Sequence, residues 1–249
     1  MNAAQPTGLH VLLAEDDEIS ALYFADALRA AGCTVCICSD GRSALAQART
    51  QRCDLLLLDL NLPHLDGVGV LMALRADASA ANHTTPAIAT CAGLGNTQCA
   101  RLLAAGFADA LPKPLPLARL HASLQACRDG VVLDEARARA VTGDAGTLAA
   151  LRGMLVNELA HCAVQLDQLL EHDRDALCGL LHKLRAGCGF CGADQLEAAS
   201  AALHAELHAG RCETATLARF RALLGSTRIS LLRAGARVPA APAAPATRH

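Results

Sequence analysis

The sequence predicts an α/β doubly wound five-stranded parallel sheet followed by an all-α helical bundle. Between residues 9 and 128, five short apolar runs alternate with amphipathic stretches of helical length. After residue 128 we find no convincing strand, and apolar residues recur three and four positions apart. A chain of 249 residues, of which 53% are hydrophobic, is long enough for two ordinary domains.

The first half supplies strands and helices in alternation. The run Leu55–Leu58 contains only leucine, as expected for a central parallel strand that is buried on both faces. Glycines fall at the junctions, where helices stop or the chain turns. The predicted strands are Val11–Ala14, Thr34–Cys38, Leu55–Leu58, Ala87–Cys91 and Ala108–Leu111, and the predicted helices are 18–31, 42–51, 67–77, 96–105 and 116–128.

The second half has the pattern of antiparallel helices joined by short connections. Breaks fall near 143–146, 172–175, 192–194 and 210–213, and the longest predicted helix covers 147–171. The last residues are rich in Pro and Ala, which predicts a disordered tail. We therefore divide the chain into an N-terminal segment 1–8, a sheet domain 9–128, a linker 129–133, a bundle 134–236 and a tail 237–249.

Composition limits the function. A net charge of −2 gives no electrostatic reason to expect nucleic acid, and we find no helix-turn-helix pattern. The first ten residues lack a basic region followed by an apolar stretch, and no apolar run approaches the roughly 20 residues that span a bilayer. We therefore expect a soluble cytoplasmic protein without membrane insertion.

The 12 cysteines are best interpreted as reduced thiols used as small core residues. Two C-x-x-C spacings, Cys33/Cys36 and Cys188/Cys191, leave zinc or redox chemistry possible, but neither has a second matching pair nearby. Of the histidines, His204 and His208 are spaced for metal binding on one helix face. No third ligand is evident, so we expect them to be solvated surface residues.

Acidic residues follow two predicted strands that lie side by side in a flavodoxin-like sheet. Glu15 and Asp16 follow the first strand, and Asp59 follows the third. Ligands of parallel sheets bind at these strand ends, and clustered carboxylates suit Mg²⁺. Lys113, after the fifth strand, could reach the same crevice and neutralise a phosphoryl oxygen. Acids after strands are often only helix caps, and we assign Asp17 to a first helical turn.

Three segments that carry these residues, HVLLAEDDEIS, CDLLLLDLNLPHLDG and GFADALPKPL, resemble the response-regulator receiver family over about residues 9–128. The resemblance implies that Asp59 is the phosphoacceptor. It also implies that Glu15, Asp16, Asp59 and the Asn61 carbonyl hold Mg²⁺, and that Lys113 contacts the phosphoryl group.

Two positions depart from the receiver pattern. Cys91 stands where the family usually has Thr or Ser, and a thiol is a weak hydrogen-bond donor. Thr90 precedes it, but adjacent strand residues point to opposite faces, so Thr90 is not expected to substitute. Ala110 stands where an aromatic switch residue is usual. We hypothesise that Asp59 carries phosphate or docks a partner without driving the usual conformational switch.

The segment LLHKLRAGCGFCGA, residues 180–193, has an unusual helix face. Four residues share this face: His182, Arg185, Ala186 and Gly189. His182 is a potential nucleophile, Arg185 is a cation, and the other two have a very small side chain or none. Glycine in a helix costs about 1 kcal/mol relative to alanine. A physical benefit is close approach of another protein to the imidazole.

This segment resembles the histidine phosphotransfer (HPt) family over about residues 133–235, with Arg185 where Lys is usual and Ala186 where Gly is usual. The resemblance implies that His182 is a phosphohistidine position. The guanidinium of Arg185 would still supply a positive charge, and it could donate two parallel hydrogen bonds to phosphoryl oxygens. Ala186 and Gly189 would belong to the face on which a partner docks.

The two resemblances together predict a phosphorelay protein rather than a multiple-turnover enzyme. The expected partners are a sensor or hybrid histidine kinase and a downstream response-regulator receiver. A partly degenerate scaffold or phosphate sink is the alternative, because Cys91 and Ala110 depart from the receiver pattern. A Mg²⁺-dependent phosphatase fits less well, because Asn61 occupies the position where a second catalytic acid would be needed.

Overall fold

A computed structural model describes residues 8–93, 95–115 and 117–236. Five parallel strands form one sheet in the order β2-β1-β3-β4-β5, which confirms the predicted sheet and the pairing of the first strand with the third. The predicted tail, 237–249, and residues 1–7 lie outside the described residues. The strands are β1 His10–Ala14, β2 Thr34–Cys38, β3 Leu55–Asp59, β4 Ala87–Ala92 and β5 Asp109–Lys113.

Helices connect the strands and pack on the sheet. Aspartate side chains cap several of them, as at Asp17, which accepts a 2.8 Å hydrogen bond from the Ser20 backbone N–H. Asp17 therefore lies just before the first helical turn instead of within it. These helices are α1 Glu18–Ala30, α2 Gly41–Thr50, α3 Gly67–Ala76, α4 Asn96–Ala104 and α5 Leu117–Asp129.

Both faces of the sheet are covered. Along β1, Leu13 belongs to the apolar cluster on one face and Leu12 to the cluster on the other. All five residues of β3 are buried, as expected for a strand with neighbours on both sides. The carboxyl ends of β1, β3 and β5 consequently emerge from a rigid support.

Among its described residues, the second half contains helices and short connections but no strand, which confirms the predicted helical region. Its helices are α6 Glu135–Thr142, α7 Ala145–His172, α8 Arg174–Cys191, α9 Asp194–His208 and α10 Thr214–Arg233. Gly192 ends α8 at φ 72°, and a Cβ there would lie 2.4 Å from the Asp134 carbonyl oxygen. Only glycine satisfies both the left-handed conformation and this close approach. Within the described ranges, no helix is both long and apolar enough to cross a membrane.

The helical half packs directly on the sheet half. Helix α7 contacts α4, α10 contacts α5, and one buried apolar cluster continues from the sheet through α5 into α7–α10. In the predicted linker, the Val131 backbone N–H donates a 2.9 Å hydrogen bond to Ser230 Oγ of α10. The connection is therefore held against the bundle.

A buried arginine reinforces this contact. Arg228 of α10 is 2% exposed and donates hydrogen bonds to the carbonyls of Leu103, at 2.7 Å, and Ala108, at 3.2 Å. Leu103 lies in the last turn of α4, where backbone carbonyls lack helical partners and favour a cation. Arg233 similarly donates to the Cys127 carbonyl of α5, at 2.7 Å. The two halves thus share polar as well as apolar contacts.

Candidate functional site

The predicted acidic cluster forms at the carboxyl end of the sheet. Glu15 and Asp16 follow β1, and Asp59 is the last residue of the neighbouring β3. One carboxylate oxygen from each lies within 4.8 Å of the other two. Glu15 and Asp59 are buried, whereas Asp16 is exposed. The cluster therefore has two fixed carboxylates and one at its solvent edge.

Lys113, at the end of β5, reaches across the sheet edge to this cluster. Its ammonium donates hydrogen bonds to Asp59 Oδ2 at 2.6 Å and Glu15 Oε1 at 2.7 Å. Burial lowers the pKa of Lys113, but bonds to Asp59 and Glu15 outweigh that effect, so its pKa is raised overall. Lys113 is therefore a fixed cation. The peptide bond that follows it, to Pro114, is cis.

The carboxylates hold more negative charge than Lys113 satisfies. Burial raises the pKa of Glu15, the Lys113 hydrogen bond lowers it, and the Asp59 charge raises it again. Both carboxylate oxygens of the buried Glu15 lie 2.7 Å from the Lys113 ammonium, which also bonds Asp59, so one positive charge is shared between two carboxylates. Three clustered carboxylates that share a single ammonium fit a hard divalent cation.

The loop after β3 holds Asp59 in place. The Asn61 backbone N–H donates a 3.2 Å hydrogen bond to Asp59 Oδ1, so each carboxylate oxygen has a donor. Gly67 begins α3 against the end of β3, where a Cβ would lie 2.3 Å from the Asp59 carbonyl oxygen. Asp66 caps the same helix by accepting from the Gly69 backbone N–H. The loop between β3 and α3 therefore depends on Gly67 for its close approach to Asp59 and on Asp66 as the N-cap of the helix.

The Cys91 thiol lies within electrostatic reach of the cluster. Burial and the charge of Asp59 raise the pKa of the Cys91 thiol, and the nearby Lys113 ammonium lowers it. Thr90 is fully buried, and within the described residues its hydroxyl has no hydrogen-bond partner. Ala110 is also buried, in the apolar cluster on one sheet face. The site therefore has a thiol at its edge and no aromatic side chain at position 110.

His182 lies on α8, remote in sequence from the acidic cluster, and its side chain is exposed. Arg185 is half-buried, and its Nε makes no hydrogen bond within the described residues. Ala186 is exposed. A Cβ at Gly189 would lie 3.6 Å from Arg137 Nη2 and would also contact Glu197. The predicted face is thus open at His182 and Ala186 and bordered by other side chains at Gly189.

His208 is exposed and His204 is half-buried. A third potential metal ligand does accompany His204 and His208: Cys178 Sγ, with all three ligand atoms within 4.8 Å of one another. The sequence spacing could not indicate it, because Cys178 belongs to α8 and the histidines to α9. The contact depends on how these two helices pack.

Comparison with known proteins identifies the first half. Residues 11–125 match the family described as the response regulator receiver domain. The receiver domain of the sensor histidine kinase PA1611 from Pseudomonas aeruginosa, crystallised with a magnesium ion in its active-site cleft, is 33% identical. That match covers 49% of this chain and 99% of the other, with a TM-score of 0.44.

Longer curated relatives also match. The sensor histidine kinase AruS of Pseudomonas aeruginosa is 30% identical over 203 residues, covering 76% of this chain and 20% of AruS. The signal transduction histidine-protein kinase BarA of Escherichia coli is 27% identical over 199 residues, covering 71% and 22%. The chain spans about a fifth of the length of these relatives. Its N-terminal half is a response regulator receiver domain, and the chain is related to two-component signalling proteins.

Proposed function

We propose that this chain is a phosphorelay protein that accepts phosphate on Asp59 and carries or transfers phosphate through His182. The contact between the Asp59 carboxylate and the Lys113 ammonium, 2.6 Å apart within the acidic cluster, carries the first half of this proposal. The exposed imidazole of His182 beside a cationic and a small side chain supports the second half.

The divalent cation that this site fits is Mg²⁺. Glu15, Asp16, Asp59 and the carbonyl of Asn61 would hold it. When bound, Mg²⁺ neutralises charge on the phosphoryl oxygens. The observation in this chain that supports a cation here is the cluster of three carboxylates with only the Lys113 ammonium bonded to it among the described residues.

Phosphorylation of Asp59 needs little from the protein beyond position and charge. A carboxylate oxygen of Asp59 attacks phosphorus in line, and the bond from phosphorus to the donor nitrogen or oxygen breaks. Where the donor is a phosphohistidine, its imidazole leaves with the electron pair and takes up a proton from water. Lys113 balances charge on the transferred group. The phosphate stays bound as an acyl phosphate, so the step has no multiple turnover.

The second transfer would take place at His182. A neutral ring nitrogen attacks the phosphorus of an aspartyl phosphate, and the carboxylate of that aspartate leaves. Arg185, three residues along α8, would stabilise the phosphoryl oxygens through its planar guanidinium. The exposed Ala186 leaves room for the partner receiver to approach.

The packing of the bundle favours a carrier role for Asp59 over the usual conformational output. Helices α7 and α10 cover parts of α4 and α5, and Arg228 bonds the end of α4 to α10. Cys91 and Ala110 replace the residues that usually link phosphorylation to movement of this region. A large rearrangement of α4 and β5 on phosphorylation would contradict this hypothesis.

The partners we propose are a sensor or hybrid histidine kinase as donor and a separate response-regulator receiver as acceptor, with no nucleic acid. The alignment with AruS supports a signalling role for more than the receiver, because it is longer than segment 11–125 and takes in part of the helical region. A scaffold or phosphate sink is the second candidate. The weak donor Cys91 favours it.

The test is transfer of radioactive phosphate. The chain is incubated with Mg²⁺ and labelled acetyl phosphate, alongside the variants Asp59→Asn and His182→Gln and the exposed controls Asp26→Asn and His161→Gln. Aspartyl phosphate is hydrolysed by alkali, whereas phosphohistidine survives alkali and is lost in acid. We expect alkali-labile label that depends on Asp59, and alkali-stable label that depends on His182.

Mixing variants separates transfer within a chain from transfer between chains. Phosphorylated His182→Gln chain is added to Asp59→Asn chain, so only transfer between molecules can label His182. Absence of label at both residues in a folded chain, with Mg²⁺ and with histidine-kinase donors also supplied, would reject the relay and favour the scaffold.

A further inference from the structure

A second cluster of metal-binding side chains lies between α8 and α9. Cys178 of α8 faces His204 and His208 of α9, and one ligand atom from each lies within 4.8 Å of the others. The two imidazoles are one helical turn apart, with ring centroids 4.6 Å apart and planes at 66°. Cys178 and His204 are half-buried, and His208 is exposed.

The donor set selects the kind of metal. A thiolate with two imidazoles suits a borderline-soft ion such as Zn²⁺, whereas Mg²⁺ and Ca²⁺ prefer oxygen ligands. Zinc bonds of about 2.0–2.3 Å bring tetrahedral ligand atoms closer together than 4.8 Å. Side chains that are half-buried or exposed can make this adjustment by changing rotamer. Three protein ligands leave a fourth position for water.

The surroundings are compatible with this chemistry. Burial lowers the pKa of His204, and the neighbouring His208, Arg185 and His182 lower it further, which favours the neutral ring that binds metals. Burial and the charge of Asp175 raise the pKa of Cys178, so binding must displace its proton. The metal therefore releases a proton when it binds the thiol.

We propose that Cys178, His204 and His208 form a Zn²⁺ site, and that an ion bound there hinders phosphoryl transfer at His182. His182 lies one turn beyond Cys178 on α8, and His204 is within electrostatic reach of it. An ion held between α8 and α9 would lie about one helical turn from the imidazole that a phosphorylated partner must reach. The hindrance rests on the proposed relay function, whereas the metal site does not.

The site is tested by Co²⁺, which reports its ligands spectroscopically. Metal-free, reduced chain is titrated with Co²⁺, and Zn²⁺ is then added to displace it. We expect one ion per chain, tetrahedral absorption bands in the visible, and a thiolate-to-cobalt band that is absent from Cys178→Ser. His204→Ala and His208→Ala should weaken binding by roughly tenfold or more, since even outer-shell partners cost 10–100-fold.

Matched controls exclude adventitious binding by the other cysteines and histidines. Cys212→Ser removes a half-buried thiol outside the cluster, and His161→Ala removes an exposed imidazole of α7. Both should bind Co²⁺ and Zn²⁺ as the unaltered chain does. His208 is exposed, so His208→Ala should fold normally and gives a result even if Cys178→Ser does not. Equal metal affinity in the ligand variants and the controls would overturn the site.

The hindrance is tested with the same proteins. In the unaltered chain, equimolar Zn²⁺ should lower about tenfold the labelling of His182 by a phosphorylated receiver. In His208→Ala, labelling should be the same with and without Zn²⁺. If the cobalt spectrum has the thiolate band but Zn²⁺ does not change labelling, the hindrance is wrong and the metal site stands. If metal-free chain cannot be labelled at His182, the relay itself has failed.

Discussion

Lys113 at the end of β5 and Asp59 at the end of β3 form the shortest hydrogen bond of the acidic site, with Nζ 2.6 Å from Oδ2. The same ammonium bonds Glu15, which follows β1, so one cation is shared by two buried carboxylates. Sequence separation between Lys113 and Asp59 is 54 residues, and only the parallel sheet brings them together. The contact therefore connects folding of the sheet to assembly of the site.

Replacing Lys113 with methionine should lower the rate of Asp59 phosphorylation by acetyl phosphate about a hundredfold, the usual effect of losing one preorganised donor to a developing charge. Methionine keeps most of the length and apolar volume but cannot donate. The rate is measured by labelling at saturating Mg²⁺. Lys183→Met, which removes the exposed lysine of α8, is the matched control. Equal rates for the two variants would contradict the assigned role.

Cys91 provides a second test of the phosphoryl contact. A hydroxyl donates a stronger hydrogen bond than a thiol, so Cys91→Ser should raise the phosphorylation rate of Asp59, by roughly tenfold. Cys91→Ala should differ little from the unaltered chain if the thiol contributes little. The three rates, measured under one set of conditions, should rank serine above cysteine and alanine. A tenfold loss in Cys91→Ala would instead assign the thiol a direct role.

The exposed Ala186 tests whether His182 is approached by a protein. Ala186→Glu places a charged, longer side chain one turn from the imidazole. Transfer from the phosphorylated His182→Gln chain should fall about tenfold or more, because like charges and bulk oppose docking of an acidic site. Direct labelling of His182 by the small donor phosphoramidate should be unchanged.

The control for this experiment is Ala163→Glu, which adds the same charge at an exposed position of α7. It should leave both reactions unchanged. If Ala186→Glu also abolishes labelling by phosphoramidate, the substitution acts on the imidazole itself and the docking interpretation is wrong.

Local patterns were sufficient to predict the sheet. Alternation of apolar runs and helical stretches indicated five βα units, and the leucine run of β3 indicated a strand buried on both faces. The predicted ends of the strands are less accurate. Strand β5 continues to Lys113, whereas the prediction ends it at Leu111, because Pro112 and Lys113 interrupt the apolar pattern but still pair with β4. Strand order followed from fold class, so the convergence of Glu15 and Asp59 could be predicted.

Contacts between helices could not be predicted in this way. The pairing of Cys178 with His204 depends on the rotation of α8 relative to α9, and the insertion of Arg228 beneath α4 depends on how the bundle docks. Neither leaves a periodic signal, since each involves one residue of a helix. Sequence indicated which residues could react, and packing determined which of them meet.

Burial of the cysteines predicts their reactivity. Burial raises the pKa of Cys162 and Cys188 to about 12 and that of Cys191 to about 11. The thiolate is the reactive form, so at pH 8 these native thiols should react with iodoacetamide far more slowly than the half-buried Cys212. Raising the pH to 9 should not remove the difference, because that pH is still well below these pKa values.

Peptide mass spectrometry after timed labelling gives each rate. In denaturant all 12 cysteines should react, which supplies the reference for each site. Rapid native labelling of Cys188 and Cys191 together would contradict their interpretation as core residues. It would favour redox chemistry at this C-x-x-C pair.

The last prediction concerns the contact between the two halves of the chain. Arg228→Ala should lower the free energy of unfolding by about 2–4 kcal/mol, because it removes bonds to the Leu103 and Ala108 carbonyls and leaves a cavity. Arg219→Ala, at an exposed position of the same helix, is the control and should unfold as the unaltered chain does. The measurement is urea denaturation followed by circular dichroism.

Arg228→Met separates the two causes. Methionine fills much of the arginine volume without donating, and it also removes a cation whose burial lowers its pKa to about 10. We expect a loss of about 1–2 kcal/mol, smaller than for alanine, because the carbonyls lose a donor while the cavity is largely filled. A loss equal to that of alanine would assign the contact to hydrogen bonding alone. A methionine variant as stable as the unaltered chain would mean that desolvation of the cation cancels its bonds, and that position 228 holds α10 against the receiver through packing alone.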